Sequence, residues 1–377
     1  MDFSAFFNVP SVHEAGGFQS AATGVQAVFL TGPQYQKRET RVFAWYGVPA
    51  LAASDVKVPG IVLVHGGLGT AFAEWVKRWN DRGFAAIAID MFGGLPAKDG
   101  SYCSKNPPER HEFSGPNPDG KFEDVDLAQE EQWPYHAVAN IISAASFLAS
   151  LPNVDAGKIG LTGISWGGYA AALAAGYDAR FRFVMPVYGC GGFATLKLVP
   201  PTASAPKVRK FASLWDPENT LANARMPILW VNGANDFAFD VFNWNRSASL
   251  PPRSYRALRP TMPHGQHEGE IPPELEAFAQ TVLAGKSFPG FTEVEYRKEL
   301  LQLGARWHSE VKIAKAEIVR TRASGCWNDC LFRAFPAELN CEHATVTGDL
   351  PDDWTAAYLS LTDEAGLVYT SEVLFKE

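Results

Sequence analysis

One serine in the chain has the surroundings of a nucleophile. Residues 158–177 are predicted to form a strand, a tight turn and a helix, and Ser165 lies in that turn, within the pentapeptide GISWG. The pentapeptide matches G-x-S-x-G, in which a strained strand-to-helix turn exposes the serine hydroxyl at the end of a parallel strand. Glycines on both sides leave room where the two backbones approach each other. The alternative is an ordinary glycine-rich turn, so the motif needs partners elsewhere in the chain.

Partners for this serine follow downstream. A serine hydroxyl needs a general base and a group that orients the base. Asp236 follows the predicted strand PILWVN, and His264 follows the predicted strand RSYRALR. The order Ser, Asp, His is the one expected with this serine motif. His264 would accept the serine proton and return it to the leaving group, while Asp236 holds its tautomer. The alternatives are a helix-capping aspartate and a surface histidine.

Acyl transfer also needs two backbone N–H groups that stabilise the developing oxyanion. Each such donor is worth about 3–4 kcal/mol of the reaction barrier. The amide of Trp166, directly after the serine, is one predicted donor. Gly67 or Leu68, in the glycine-rich turn after the apolar run IVLV, is the other. His65, at the start of this turn, is predicted to be structural rather than an acid or base.

The elements that must position these residues alternate between strands and helices. Two N-terminal strands are predicted at 24–31 and 39–48. Continuous apolar runs predict strands covered on both faces, and these lie at 60–64, 84–90, 158–163, 181–189 and 227–232. Helices are predicted at 71–83 with Thr70 as N-cap, at 134–150, at 238–249 and at 273–284. This alternation predicts a doubly wound, mostly parallel sheet with its ligand site at the carboxyl ends of the strands.

The length of 377 residues exceeds what one hydrophobic core usually holds, which predicts two domains. Residues 1–286 are predicted to be the catalytic α/β domain. After a Pro/Gly linker, residues 287–377 show period-two segments between turns, which predicts a small immunoglobulin-like all-β sandwich. It carries no catalytic residues. Packing against the first domain is its simplest role, and dimer formation or polymer binding are the alternatives.

Two insertions are predicted to shape the pocket, because loops at strand ends carry specificity in such sheets. Residues 91–133 are rich in Pro, Gly and charge, which predicts an irregular lid. Residues 190–225 include Phe193, Phe211 and Trp215, which either wall the acyl side or pack in the core. The predicted substrate contacts are Trp166, Cys190 and Trp215. Trp166 and the bulky second insertion predict a short, closed acyl site.

Composition narrows the class of protein. A hydrophobic content of 46% indicates a globular chain, and a net charge of −8 without a basic patch argues against nucleic-acid binding. The N-terminus has no signal-like segment, and no apolar run is long enough to span a membrane. We therefore expect a cytoplasmic protein, secreted only if a signal peptide has been removed. Its expected partner is a small-molecule or carbohydrate ester, and a homo-oligomer remains open.

The cysteines argue against a disulfide framework, because they are odd in number and scattered. They are Cys103, Cys190, Cys326, Cys330 and Cys341. The sequences Cys326-x3-Cys330 and Cys341-x-His343 could supply zinc ligands, but neither has the usual C-x2-C spacing. Buried thiols or a local disulfide are favoured, and no metal or cofactor is predicted.

Several segments carry a resemblance to a known family. The segments HGGLGTAFAEWVKRWNDRGFAAIAIDMFGG, EQWPYHAV, GISWGGYAA, VYGCGG and PILWVNGANDFAF resemble the acetyl-xylan-esterase-like branch of the α/β-hydrolase superfamily, over most of residues 40–285. That branch is also similar to dienelactone hydrolases and prolyl-oligopeptidase-type peptidases. The resemblance implies catalytic triad roles for Ser165, Asp236 and His264. Characterised acetyl xylan and cephalosporin deacetylases carry Gln where this chain has Ile164, so the fold transfers better than the substrate.

The predicted function is that of a cofactor-free serine carboxylester hydrolase with an acyl-enzyme intermediate. Its expected reaction removes a short acyl group, such as acetate, from a carbohydrate or similar ester. A prolyl-oligopeptidase-like peptidase is one alternative, although no propeller or charged amino-terminus anchor is evident. A non-catalytic binding module that has kept a hydrolase fold is the other.

Overall fold

A nine-stranded sheet holds the catalytic candidates together. The computed structural model describes residues 1–50, 56–100, 108–323 and 325–376. The strands of the sheet are β1 (Val12–Glu14), β2 (Val25–Thr31), β3 (Arg41–Gly47), β4 (Val58–Val64), β5 (Ala85–Ile89), β6 (Val154–Ile164), β7 (Phe183–Val187), β8 (Ile228–Gly233) and β9 (Ser254–Arg259). Their spatial order is β1-β2-β3-β5-β4-β6-β7-β8-β9. The strands from β5 to β9 in this order pair in parallel, and β1 to β3 extend the sheet in antiparallel pairing.

Helices cover this sheet, because strands made of continuous apolar residues need to be shielded from water. The strand β5 is buried throughout, so neither face of it can be left to water. The helices are α1 (Ala73–Asp81), α2 (Trp133–Ser150), α3 (Trp166–Ala175), α4 (Ala205–Trp215), α5 (Val241–Ala248), α6 (Gln266–Glu270) and α7 (Pro273–Leu283). In the part of the chain that the structure describes, no helix is long and apolar enough to cross a membrane. The predicted doubly wound, mostly parallel α/β-hydrolase sheet is confirmed.

The structure corrects the start of one predicted helix and adds one helix that the sequence did not indicate. The helix α1 begins at Ala73 with Phe72 as its N-cap and without a side-chain cap, so the prediction of Thr70 as N-cap is wrong. The Thr70 hydroxyl instead lies buried before the helix. The helix α4, inside the second insertion, was not predicted. Its buried Val208, Phe211 and Trp215 share one helical face, but the prolines around its start concealed this pattern.

The part of the chain that follows α7 forms antiparallel β-structure. Its strands are β10 (Gly290–Arg297), β11 (Gln302–His308), β12 (Ile313–Thr321), β13 (Arg333–Pro336), β14 (Glu338–Asn340), β15 (Thr345–Asp349), β16 (Ala356–Asp363), β17 (Val368–Thr370) and β18 (Leu374–Phe375). One sheet has the order β10-β11-β15-β14, and the other has the order β13-β12-β16-β17 with β18 also paired to β16. The predicted C-terminal all-β part is therefore present. A domain boundary at residue 286 stays a prediction.

A buried carboxylate links this β-structure to the large sheet. Glu274 in α7 has no exposed surface, and its two oxygens accept hydrogen bonds from Arg259 Nη2 at 2.8 and 2.6 Å. Its Oε1 also accepts the backbone N–H of Val368 in β17, at 2.9 Å. One side chain therefore ties α7, β9 and β17 together.

We expect Glu274→Ala to destabilise the protein by about 3 kcal/mol, because it leaves Arg259 and the Val368 amide without their buried partner. Glu274→Gln, which keeps an oxygen for Val368, should cost less. The free energy of unfolding in urea measures both. Asp81→Ala, which breaks the exposed Lys77–Asp81 ion pair, is the control and should change stability by less than about 1 kcal/mol. Equal effects of Glu274→Ala and Asp81→Ala would contradict this role.

Candidate active site

Ser165 lies in a strained turn between β6 and α3. Its backbone has a positive φ of 58° with ψ of −118°, which is rare for a residue with a side chain. A Cβ atom at Gly163 would lie 2.1 Å from the carbonyl oxygen of Gly167, and one at Gly167 would lie 2.0 Å from that of Val64. Only glycine fits at both positions. The turn therefore packs against β4 and lifts the serine hydroxyl above the end of the sheet.

The structure brings the three predicted catalytic residues into one hydrogen-bonded chain. His264 Nε2 lies 2.9 Å from Ser165 Oγ, and His264 Nδ1 lies 2.6 Å from Asp236 Oδ2. The other oxygen of Asp236 accepts the backbone N–H groups of Ala238 at 2.9 Å and Phe239 at 2.7 Å. Because a carboxylate only accepts hydrogen bonds, Nδ1 carries the proton and the neutral Nε2 accepts from the serine hydroxyl. Asp236 thus binds nearby amides, as the capping alternative expects, and also orients His264.

Aromatic rings that sequence reasoning missed hold His264 in place. The ring of Tyr188 stacks on the imidazole at a centroid distance of 4.5 Å, and its hydroxyl donates to the carbonyl oxygen of Pro263 at 2.7 Å. Burial raises the pKa of Tyr188, so the phenol stays a protonated donor. Phe237 lies 4.9 Å from the imidazole and is 65% exposed. The one available signal was position, since Tyr188 directly follows β7 at the same edge of the sheet.

The glycine-rich turn after β4 lies against the serine. The backbone of Gly66 approaches Ser165 so closely that a Cβ atom would be 3.2 Å from the serine Cβ. The carbonyl oxygen of Gly66 lies 2.7 Å from His65 Nδ1 and accepts the N–H of Gly69 at 3.2 Å. His65 Nε2 accepts the N–H of Met91 at 2.9 Å. Both ring nitrogens of His65 are therefore used by the backbone, which fits a structural role.

The predicted oxyanion donors lie in the two segments that meet here, the glycine-rich turn after β4 and the turn at Ser165. A Cβ atom at Gly67 would be 2.9 Å from Cδ1 of Trp166, so the turn touches the residue that follows the nucleophile. Trp166 begins α3, where the first N–H groups have no acceptor inside the helix. Among the hydrogen bonds of the described residues, none has the amide of Gly67, Leu68 or Trp166 as its donor. These amides remain the predicted oxyanion donors.

Trp166 is packed rather than open to solvent. Trp166 is 9% exposed. Its ring stacks on the ring of Phe193, with the two centroids 5.7 Å apart, and contacts Trp133 and Tyr169 edge-on. The ammonium group of Lys121, from the first insertion, lies 4.7 Å above the indole. Burial lowers the pKa of Lys121 to about 8. The indole is thus enclosed by rings and a cation beside the nucleophile.

The prediction of Cys190 and Trp215 as substrate contacts is wrong, because neither has exposed surface. The Trp215 indole donates to Gln132 Oε1 at 2.6 Å, and Cys190 Sγ donates to the carbonyl oxygen of Gly191 at 3.3 Å. Burial raises the pKa of the Cys190 thiol well above its usual range. Phe193 and Phe211 are also fully buried. The aromatic residues of the second insertion therefore belong to the core.

Of the arrangements considered for the remaining cysteines, a buried thiol is found at Cys330, whereas Cys326 is partly exposed and Cys341 is exposed. In the described part of the chain, Cys326, Cys330 and Cys341 form no disulfide. No group of three or more His, Cys, Asp or Glu side chains suited to a metal ion occurs among the described residues. Cys103 lies outside the described residues.

The buried carboxyl group of Glu270 is linked to the glycine-rich turn through the side chain of Gln266. The N–H of Gly66 donates to Gln266 Oε1 at 3.4 Å, and Gln266 Nε2 donates to Glu270 Oε1 at 3.0 Å. Glu270 is buried, and its Oε2 lies 3.6 Å from Arg78 Nε. Burial raises the pKa of Glu270 to about 7, although Gln266 and Arg78 oppose this shift.

Comparisons with known proteins agree with this architecture. Residues 47–246 match the model of the dienelactone hydrolase family. The structure of an acetyl xylan esterase from Paenibacillus sp. R4 is 21% identical with a TM-score of 0.57, over 75% of this chain and 92% of that one. Acetyl xylan esterase 1 from Thermoanaerobacterium sp. JW/SL YS485 is 14% identical with a TM-score of 0.53, over 75% and 93% of the two chains.

A puromycin-hydrolysing peptidase of Mycobacterium tuberculosis also has a similar structure. It is 19% identical with a TM-score of 0.50, over 71% of this chain and 40% of that one. No curated protein matches the chain. At such low identities, the similarity of these structures shows a shared fold.

We expect the stability of the protein to fall as pH rises from about 5 to about 8, because Glu270 keeps its proton in the folded state up to about pH 7. The unfolded chain releases this proton near the ordinary pKa of 4.5, so ionisation favours unfolding in between, by up to about 3 kcal/mol. Glu270→Gln should flatten this dependence in urea unfolding. Exposed Glu338→Gln is the control, and equal pH slopes for both variants would contradict the assignment.

Proposed function

The chain belongs to the dienelactone hydrolase family, and we propose that it is a serine carboxylester hydrolase that works through an acyl-enzyme. The observation that carries this proposal is the hydrogen-bonded chain of Ser165, His264 and Asp236 at the carboxyl ends of the sheet strands. The strained backbone of Ser165 adds to it, because strain of this kind concentrates at functional sites.

Each group in this arrangement has a role in acyl transfer. Ser165 Oγ attacks the ester carbonyl carbon while His264 Nε2 takes its proton, and Asp236 stabilises the imidazolium that forms. The amides of Trp166 and of Gly67 or Leu68 donate to the oxyanion. His264 then protonates the departing alcohol, which leaves the acyl group on Ser165. Water, activated by the same histidine, attacks the acyl-enzyme, releases the acid and restores the serine.

The surroundings of the site favour a small acyl group and a larger alcohol. The packed rings of Trp166 and Phe193 leave little room beside the nucleophile. Phe237, in contrast, offers an exposed ring next to His264, the residue that protonates the alcohol. An exposed ring of this kind can pack against the apolar face of a sugar or a similar alcohol. Because two similar structures are acetyl xylan esterases, acetylated carbohydrates are the first substrates to test.

Purified protein should hydrolyse p-nitrophenyl acetate and leave aminoacyl anilides intact. Ser165→Ala should lower kcat by about 10⁴-fold or more, because no acyl-enzyme can form. A fluorophosphonate probe should label the wild type at Ser165 and leave the variant unlabelled. Ser213→Ala, in α4 with its hydroxyl bonded to the carbonyl oxygen of Lys210, is the control and should keep full activity. Cleavage of anilides instead of esters would favour a peptidase, and unchanged ester turnover in Ser165→Ala would favour a non-catalytic module.

Acetyl esters should exceed butyryl esters in kcat/KM by roughly tenfold or more, because each misfitting methylene costs about 1–3 kcal/mol. Trp166→Ala should reduce this ratio, since it removes the indole and keeps the backbone N–H, at a stability cost of about 3–5 kcal/mol. Trp79→Ala, which removes a fully buried indole in α1, should lower the melting temperature without changing the ratio. An unchanged ratio in Trp166→Ala would mean that the indole does not bound the acyl site.

A further inference from the structure

The C-terminal β-structure reaches the catalytic carboxylate. The connection between β12 and β13 contains a short 3-10 turn, Trp327–Asp329, that lies beside α5. From this turn, Asn328 Nδ2 donates to the backbone carbonyl oxygen of Asp236 at 2.9 Å. Asp236 is the residue whose side chain holds His264. A residue 92 positions away in sequence therefore bonds the backbone of the site.

The amide of Asn328 is itself held in orientation. Its Oδ1 lies 3.6 Å from Sγ of Cys326, which donates to it. Sγ of Cys330 donates to the carbonyl oxygen of Cys326 at 3.1 Å, so the turn is closed by its own thiols. Cys326 Sγ also contacts Nζ of Lys197 in the second insertion. Because the oxygen end of the amide has its own donor, the nitrogen end faces Asp236.

The backbone carbonyl of Asp236, to which Asn328 donates, is well placed to control the geometry of His264. The peptide that follows Asp236 carries both this carbonyl oxygen and the N–H of Phe237, so its orientation sets the course of the loop. The carboxylate is already held by Ala238 and Phe239 from within the same loop. Asn328 adds a hydrogen bond from outside the loop. A shift of about 1 Å in such a position can cost about 100-fold in rate.

We propose that the C-terminal β-structure is a working part of the catalytic unit, with Asn328 as a positioning residue that acts through Asp236 on His264. This inference rests on the proposed function of the same site. The contacts of Glu274 with Val368 and of Asn245 with Val373 join the β-structure to the large sheet's helices away from Asp236, whereas Asn328 makes the contact that reaches Asp236.

The test compares Asn328→Ala, Asn328→Asp and Asn328→Gln in the full chain with p-nitrophenyl acetate. Asn328→Ala and Asn328→Asp lack the donor, so kcat should fall by about tenfold to 100-fold while KM changes by less than about twofold. In Asn328→Ala, which introduces no charge, the acidic limb of the kcat/KM profile should move to lower pH, because a looser carboxylate favours protonated His264 less. Asn328→Gln, which keeps a donor, should recover part of the rate.

Asn245→Ala is the matched control. Asn245 in α5 bonds both the N–H and the carbonyl oxygen of Val373, at 2.8 and 3.0 Å, across the same interface. This variant should lower the unfolding free energy and leave kcat and the acidic limb in place. If it reproduces the Asn328→Ala profile, or if Asn328→Ala leaves both unchanged, the positioning role is overturned.

A spectroscopic readout separates this inference from the proposed function. The His264 Nδ1 proton, hydrogen-bonded to Asp236, should give a low-field proton resonance in the wild type. Asn328→Ala should shift or broaden this resonance, whether or not the chain hydrolyses esters, whereas Asn245→Ala should leave it. An unchanged resonance in Asn328→Ala would refute the positioning role. A wild type that neither hydrolyses esters nor reacts with fluorophosphonate would instead refute the proposed function.

Discussion

The close contact between the turn at Ser165 and the end of β4 is the constraint on which the site depends. Gly167 meets the carbonyl of Val64 with no room for a side chain, and Gly163 meets Gly167 in the same way. At this contact the backbone of Ser165 has a positive φ of 58°. It also brings the turn after β4 beside the serine. One packing constraint therefore positions both the predicted nucleophile and its predicted oxyanion donors.

Around this constraint, most polar groups of the site are held by backbone. Asp236 accepts two amides, His65 bridges Gly66 and Met91, and Tyr188 donates to a carbonyl. These backbone groups lie in loops that follow strands of the large sheet, and they move little because those strands are anchored in the core. Such a site is organised before substrate arrives, as electrostatic stabilisation of a transition state requires.

The β-structure after residue 290 is joined to the large sheet by contacts of two kinds. The Glu274 and Asn245 bonds are made to the backbone of β17 and of the segment that leads to β18, away from the nucleophile. The Asn328 bond ends on the residue that orients His264. The first kind favours a stable arrangement of the two parts. The second, as proposed above, couples the β-structure to the position of His264.

The sequence by itself determined the elements whose patterns are local. The G-x-S-x-G turn, the apolar runs of the parallel strands and the period-two segments near the C-terminus predicted the fold, and the strand ends predicted Asp236 and His264. Only the tertiary structure decided which aromatic residues are core, since Trp215 has the same local pattern whether it lines a pocket or packs against Gln132. It also revealed Tyr188 and Asn328 beside the site. Contacts between residues far apart in the chain depend on how whole elements pack, and no local periodicity encodes that packing.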